Sequence, residues 1–391
     1  MLERIKEGWL SGGWANILAG IVVALALIPE VIAFSVIAGV DPMVGLYASF
    51  IIAVTIAFTG GRPAMISAAA GAIALLVYPL VKTYGVDYLL AATILMGVIQ
   101  IILGLLKVGH LMKYIPNTVM IGFVDALAIL IFHSQLQHIF GLSWETYVFT
   151  GMTILIVSIM PKFYTRIPAP LVAVVLLTII SMMTDANVRT VGDLGEITRT
   201  LPHFLIPDVP WNFETLKIIF PYSLSMAVVG LVESLLTARI VDETLNSDSD
   251  KNRESRGQGI ANILSGLFGG IGGCAMIGQS VMNLQSGGTS RLSSLTAGTF
   301  LMFMIIVLGD YLVQIPMSIL AGIMVVVAWT TFEFKTFPLM RTAPKADSAV
   351  ILLTIILVLI THNLAVGVIA GSLLNVILKR NHQSADRVAD Q

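Results

Sequence analysis

Three acidic residues sit inside long apolar stretches: Glu30, Asp125 and Glu233. A charge in hydrocarbon is expensive, so an ionisable residue within an apolar span is a functional candidate by default. Glu30 follows Pro29, whose ring frees a backbone carbonyl and loosens the helix around it. Glu233 stands four residues before Thr237, which places carboxyl and hydroxyl on one helix face. Near exposed helix-end carbonyls, such a pair supplies the oxygen ligands that suit Na⁺. A desolvated carboxyl can also carry a proton. The pattern leaves Na⁺ and H⁺ both open.

Each residue also has a plainer use. Glu233 could be a neutral acid hydrogen-bonded within a helix bundle, although an acidic residue at the corresponding place in the first half, Glu30, favours function. Glu30 could be a structural or gating group. Asp125 reads better as a hydrogen-bond partner between helices than as a substrate ligand. Thr237 alone would bond its own helix backbone. His133 and His138 fall near a predicted outer membrane edge and read as interfacial, and Cys274 as a small packing residue.

The elements that position these groups are marked by glycine. Residues 268–280 interrupt an apolar span with five glycines, Gly269, Gly270, Gly272, Gly273 and Gly278, and end on Gln279-Ser280. An earlier stretch, Phe58 to Ser67, carries Gly60-Gly61-Arg62-Pro63 and echoes it. Gly-x-x-Ala-Met-Ile begins at Gly61 and again at Gly272, 211 residues on. Paired, interrupted hydrophobic segments in two halves of a chain point to a transporter's binding site. A helix that starts within the membrane aims free N–H groups and its positive dipole end at an anion. Glycine also lets helices pack closely, but the density here exceeds what packing needs.

Composition sets the class. Hydrophobic residues make up 57% of the 391 and charged ones 12%, which excludes a water-soluble domain. A net charge of −1 with no basic stripe excludes a nucleic-acid binder. One cysteine excludes a disulfide framework and a cysteine metal cluster. There is no Gly-x-x-x-x-Gly-Lys-(Ser/Thr) and no His/Glu metal spacing within the spans, which argues against an enzyme, a resident cofactor and ATP-driven pumping.

Fourteen hydrophobic segments are expected, all helical. After a cytoplasmic lead-in over 1–14, which lacks a signal-peptide cleavage site, seven spans lie in 15–183. An extracellular linker covers 184–216, seven more spans lie in 217–378, and 379–391 is a cytoplasmic tail. With both ends inside, only Lys82, Arg189, Arg199 and Lys217 of the 22 Lys and Arg fall outside. That is the asymmetry expected of cytoplasmic loops. Seven is odd, so two similar halves must run in opposite senses through the bilayer, as an inverted repeat around one central site.

These residues resemble the sulfate permease (SulP) family of anion transporters, which includes animal anion exchangers and prestin. Leu27-Ile28-Pro29-Glu30-Val31-Ile32-Ala33-Phe34 resembles the family's Pro-Gln-x-(Met/Leu)-Ala-(Tyr/Phe) in the first span. Gly60-Gly61-Arg62-Pro63 opens the third, and Glu233 to Thr237 matches the eighth. Gly257-Gln258-Gly259-Ile260-Ala261-Asn262 matches the ninth. Gly272 to Asn283, with Gln285-Ser286-Gly287-Gly288, matches the tenth and its exit.

The resemblance implies a core and a gate domain, with the anion held between the N-termini of half-helices at spans three and ten. Carried over by position, the substrate site comprises Ala68, Ala69, Ala70 and Gly71 at one helix end. Ala275, Met276, Ile277, Gly278 and Gln279 form the other, and Glu30 and Phe34 come from the first-span motif. Glu233 and Thr237, with backbone near Ala275, would hold the coupling ion, Na⁺ or H⁺. Elevator motion and a homodimer in the lipid bilayer are implied too. Family members usually carry a cytoplasmic STAS domain after the last span, and this chain stops before one. Met276 and Gln279 stand where many relatives have serine or arginine, and three alanines replace a hydroxyl seen in some.

The expected function is therefore secondary active transport of a small anion (bicarbonate, sulfate or a small carboxylate), by symport in a bacterial inner membrane. An anion entering a negative interior needs compensation of about 2.3 kcal/mol per charge per 100 mV. The rivals are an anion channel or uncoupled exchanger, and a nucleobase permease of the same fold.

Overall fold

The computed structural model describes residues 9, 13–109, 116–163, 167–184, 186–195, 197–342 and 344–389; most of the lead-in, with Arg4 and Lys6, lies outside them, as do Lys113, Arg166 and Asp185. The described residues are mostly helical. From Gly13 on, the described residues of the first half form seven α-helices: α1 (Gly13–Ala38), α2 (Pro42–Thr59), α3 (Gly71–Tyr84), α4 (Val86–Leu105), α5 (Asn117–Ile139), α6 (Trp144–Ile159) and α7 (Ala169–Met183). The second half has α8 (Phe213–Leu245), α9 (Lys251–Leu267), α10 (Ile277–Gln285), α11 (Arg291–Leu312) and α12 (Met317–Thr331). A short α13 (Thr336–Thr342) then precedes α14 (Lys345–Thr361) and α15 (Leu364–Ala389). Eight of the described helical segments are long and apolar enough to cross a membrane, and α3, α7 and the Leu364–Leu378 part of α15 are shorter apolar helices.

The helices sort into two groups by what they pack against. In one, α9 lies along α4 and α2, and α11 lies along α1 and α2, with α8 against α4. In the other, α12 and α14 flank α5, α12 also meets α6, and α14 pairs with α15. Exchanging the halves maps these pairings onto one another: α4 with α9 becomes α11 with α2, and α1 with α11 becomes α8 with α4. The helices of the two halves therefore correspond in what they pack against.

Glycine permits the tightest of these contacts. A Cβ on Gly97 of α4 would strike the carbonyl of Gly259 in α9, and one on Gly259 would strike the carbonyl of Gly97. The two backbones touch, as small-residue interfaces in membranes allow.

The helices α3 and α10 are each preceded by a three-residue strand. β1 (Ser67–Ala69) and β2 (Gly273–Ala275) pair antiparallel, with Ser67 opposite Ala275, Ala68 opposite Cys274 and Ala69 opposite Gly273. A Cβ on Gly273 would collide with the carbonyl of Ala68, so only glycine fits that position. Strand and helix starts correspond at one constant spacing: Ser67 to Gly273 and Gly71 to Ile277 are each 206 residues. The Gly-x-x-Ala-Met-Ile echo, at 211, is out of that register. In the first half it forms the approach to β1, where Ala64 adopts a left-handed φ of 65°; in the second it covers β2 and the head of α10. The echo is a likeness of composition, and the repeat rests on the strands.

Candidate functional site

Irregular backbone buried within a helical bundle must find partners for its N–H and C=O groups. In an antiparallel pair alternate residues turn those groups outward. On this two-strand ribbon, side chains meet them. The Ala69 N–H donates to Ser49 Oγ of α2 at 3.1 Å. The Gly273 N–H donates to Asn262 Oδ1 of α9 at 2.8 Å, and Asn262 Nδ2 donates back to the Gly273 carbonyl at 3.1 Å. The Ala275 N–H donates to Ser234 Oγ of α8 at 3.0 Å, and Thr237 Oγ1 donates to the Ala275 carbonyl at 3.4 Å. A hydroxyl or amide thus stands where a further strand would be.

Beyond the strands the two helices begin without side-chain caps. Ala70 and Met276 occupy the cap positions in extended conformation, and neither has a side-chain oxygen. Within α3 the first helical bonds run from Ile73 and Ala74 to Ala70, and within α10 from Ser280 to Met276. The N–H groups of Gly71 and Ala72, and of Ile277, Gly278 and Gln279, therefore lack intrahelical partners. Because the ribbon is antiparallel, α3 begins beside Gly273 and α10 beside Ser67. Two positive dipole ends are held about one pair of strands.

The structure gathers the expected residues around this crossing. Gln279 Nε2 donates to Glu30 Oε2 at 2.7 Å, and both side chains are buried. Phe34, one turn further along α1, lies against the head of α3: a Cβ on Gly71 would come within 2.7 Å of its ring. Ala68, Ala69, Ala70 and Ala275 are buried, whereas Gly278 is exposed and a Cβ there would meet nothing within 4 Å. Glu233 is partly exposed, and Cys274 Sγ donates to its Oε2 at 3.1 Å, a polar contact beyond packing. Thr237 Oγ1 also donates to the Glu233 carbonyl at 2.8 Å, so its hydroxyl bridges α8 to β2. Asp125 belongs elsewhere. Its carboxylate accepts from the Glu333 N–H at 2.8 Å and Thr336 Oγ1 at 2.6 Å, ahead of α13 in the other helix group.

Several polar neighbours of the crossing have no role assigned from sequence, although Gln258 and Asn262 belong to the ninth-span motif. Glu254, Gln258 and Asn262 fall at four-residue intervals on α9 and are fully buried. That spacing was available, since residues four apart share one helix face. Ser49 and Ser234 gave no such signal.

Charges close the end of the crossing from which α2 arrives. Arg291 donates to the carbonyls of Ala57 and Gly60, and Arg253 to those of Phe58 and Thr59, so two guanidinium groups satisfy the last turn of α2. Arg62 pairs with Asp242 at 3.3 Å and donates to Ser247 Oγ at 2.9 Å; Lys251 pairs with the same Asp242. Beside this network a cleft of about 1000 Å³ opens between Asn117 and Met120 of α5 and Leu235, Leu236 and Arg239 of α8. Its wall begins two residues past Glu233.

Comparison with known proteins identifies the family and the fold. The sequence profile of the sulfate permease family matches residues 14–152 and 142–354. The chain is 56% identical over 373 residues to the putative sulfate transporter YbaR of Bacillus subtilis, covering 95% of this chain and 78% of that one. It is 28% identical over 408 residues to the bicarbonate transporter BicA of Picosynechococcus, covering 94% and 71%. The transmembrane domain of a cyanobacterial BicA superposes with a TM-score of 0.80 at 25% identity, covering 93% of this chain and 97% of that domain. With its strands, half-helices and helix pairing accounted for, the chain belongs to the sulfate permease family of integral membrane anion transporters, and is not an enzyme.

Proposed function

We propose that this protein carries a small oxyanion of the sulfate or bicarbonate class across the bacterial plasma membrane, together with Na⁺ or H⁺. One observation carries the reading. The β1–β2 register holds two uncapped helix N-termini at one crossing, and the same ribbon is bonded to Thr237, one turn from Glu233. Free amides and dipole ends attract the anion. Residues 68–71 and 275–279, with Glu30 and Phe34 of α1, line its place. Glu233, Thr237 and the Ala275 carbonyl supply three oxygens for Na⁺, or one carboxyl for a proton. No guanidinium group stands among these residues, so a co-transported cation would offset the anion's charge.

The two helix groups support an elevator motion, in which α1–α4 with α8–α11 move as a core against α5–α7 and α12–α15. The cleft beside α5 and α8 would be the inward exit, and the Lys- and Arg-rich loops support a cytoplasmic side for it and for both termini. A homodimer, implied by the family resemblance, belongs to the same reading. Uptake of radiolabelled sulfate, bicarbonate and small carboxylates into proteoliposomes, under separate Na⁺ and pH gradients, tests it. Saturable uptake driven by one gradient is expected. Non-saturating flux indifferent to both would mean a channel, and uptake of uracil instead would mean a nucleobase permease.

A further inference from the structure

We infer that α9 sets anion affinity from behind the ribbon, through three buried residues that never touch the solute: Glu254, Gln258 and Asn262 are positioning residues for the site. The inference rests on the anion-binding reading above and deepens it.

The three side chains stand one helical turn apart and each grips a different part of the crossing. Glu254 Oε2 accepts from the N–H groups of Gly61 and Arg62 at 2.7 and 3.1 Å, fixing the approach to β1. Its other oxygen accepts from Gln258 Nε2 at 2.9 Å, and the same amide donates to Ser67 Oγ, the first residue of β1, at 2.7 Å. Asn262 takes both backbone groups of Gly273, the first residue of β2, and is itself held by donating to Gln100 Oε1 of α4 at 2.9 Å. One straight helix therefore grips both strands. A helix rises about 6 Å over four residues, so the separation of the β1 approach, β1 and β2 is measured off along α9.

The arrangement has consequences for binding. The amides that meet the anion belong to helices that start two residues past these anchored strands. A strand freed to shift by a fraction of an ångström would spread the two helix ends and lower the potential between them. α9 is in turn fixed by the backbone contact of Gly259 with Gly97 on α4. Neither Gln258 nor Asn262 is exposed, and neither bonds to Glu30, Gln279, Glu233 or Thr237.

The test uses full-length protein in proteoliposomes with radiolabelled sulfate and bicarbonate. Gln258→Met, which removes two buried hydrogen bonds, and Asn262→Leu, which removes three, are each expected to raise KM by at least about tenfold, with maximal rate nearly unchanged. The double variant Ser67→Ala/Gln258→Met removes both partners of the Ser67 bond and should recover part of the thermal stability, the Gln258–Glu254 bond staying lost; KM should stay raised. If KM recovers together with stability, or if maximal rate falls at unchanged KM, the row is structural only and the inference fails. Hydrogen exchange supplies an arm independent of transport. In Asn262→Leu, peptides covering 64–76 and 270–280 should lose protection while those of α5 and α6 do not. A wild-type protein that moves neither anion would reject the proposed function, and unchanged protection in the strand peptides would then reject the positioning role separately.

Discussion

Gln279 and Glu30 are 249 residues apart in the chain, and the amide of one donates to the carboxyl of the other at 2.7 Å. The bond ties the head of α10 to α1 just past Pro29, joining a half-helix to the span that proline loosens. It also leaves Gln279 Oε1 buried without a partner. Removing the donor strands a buried carboxyl, whereas changing the acceptor to an amide keeps a partner for Gln279. Gln279→Leu should therefore lower stability by about 1–3 kcal/mol, and Glu30→Gln by clearly less. Thermal unfolding of the purified protein in detergent checks the order. The reverse ranking would mean that the bond contributes little.

Glu233 and Thr237 make different contacts, so their substitutions should separate. Glu233→Gln keeps the size of the side chain and an oxygen to accept from Cys274 Sγ. Folding should survive while gradient-driven uptake is abolished. Thr237→Val keeps the shape but removes the hydroxyl that reaches the Ala275 carbonyl. If Na⁺ is the coupling ion, that variant should need about tenfold more Na⁺, as loss of one ligand oxygen worth roughly 1.4 kcal/mol implies. If H⁺ is the coupling ion, the dependence on pH should be unaltered. Near-normal coupled uptake by Glu233→Gln would remove the carboxyl from the mechanism.

Three glycines around the crossing predict three different outcomes. Gly273→Ala drives a Cβ into the Ala68 carbonyl, a backbone atom that cannot move without opening the ribbon. Loss of folded protein is expected. Gly71→Ala meets the ring of Phe34 first, a side chain and not backbone, so Gly71→Ala should impair uptake and Gly71→Ala/Phe34→Leu, which trims that ring, should recover it in part. Gly278→Trp enters space open within 4 Å and should leave stability intact while blocking uptake of sulfate and bicarbonate. Size-exclusion profiles and uptake measured on the same preparations distinguish the three. Full uptake by Gly278→Trp would place the anion away from the head of α10.

Much of this was legible in the chain because hydropathy and glycine content report directly on spans and their breaks. The helices α1 to α7 fall where seven apolar segments were expected, and α3 and α10 follow the two interrupted stretches. The strands were not legible. Three residues of Ala, Gly and Cys have no period to read, and their pairing joins positions some two hundred residues apart. The Gly-x-x-Ala-Met-Ile echo illustrates the limit, since matching letters five residues out of register pointed to the right two regions without the right correspondence. Single hydroxyls such as Ser49 and Ser234 are as common in helices that do nothing. The α9 row differs, because Glu254, Gln258 and Asn262 repeat at a helical interval and all three are buried. The strand approach that α9 holds also contains Ala64 in its left-handed conformation, which no local residue preference would indicate.

Asp125 tests whether an intramembrane carboxylate must serve transport at all. Both of its oxygens are used on the segment that opens α13: Oδ1 accepts from the Glu333 N–H and Oδ2 from Thr336 Oγ1. That is the chemistry of a helix cap supplied from another helix, and it sits in the group of helices that does not contain the strand crossing. Capping carboxylates contribute about 0.5–2 kcal/mol, and one between helices also fixes where α13 lies against α5. Asp125→Asn keeps one carbonyl oxygen and should lose the smaller part of this, while Asp125→Ala loses all of it. Stability in detergent should fall in that order. The dependence of uptake on Na⁺ and on pH should match wild type in both variants, in contrast to Glu233→Gln. If Asp125→Asn altered the coupling ratio while unfolding at the wild-type temperature, the carboxylate would belong to the transport path, and its contacts with α13 would be the means by which the second helix group senses the bound ion.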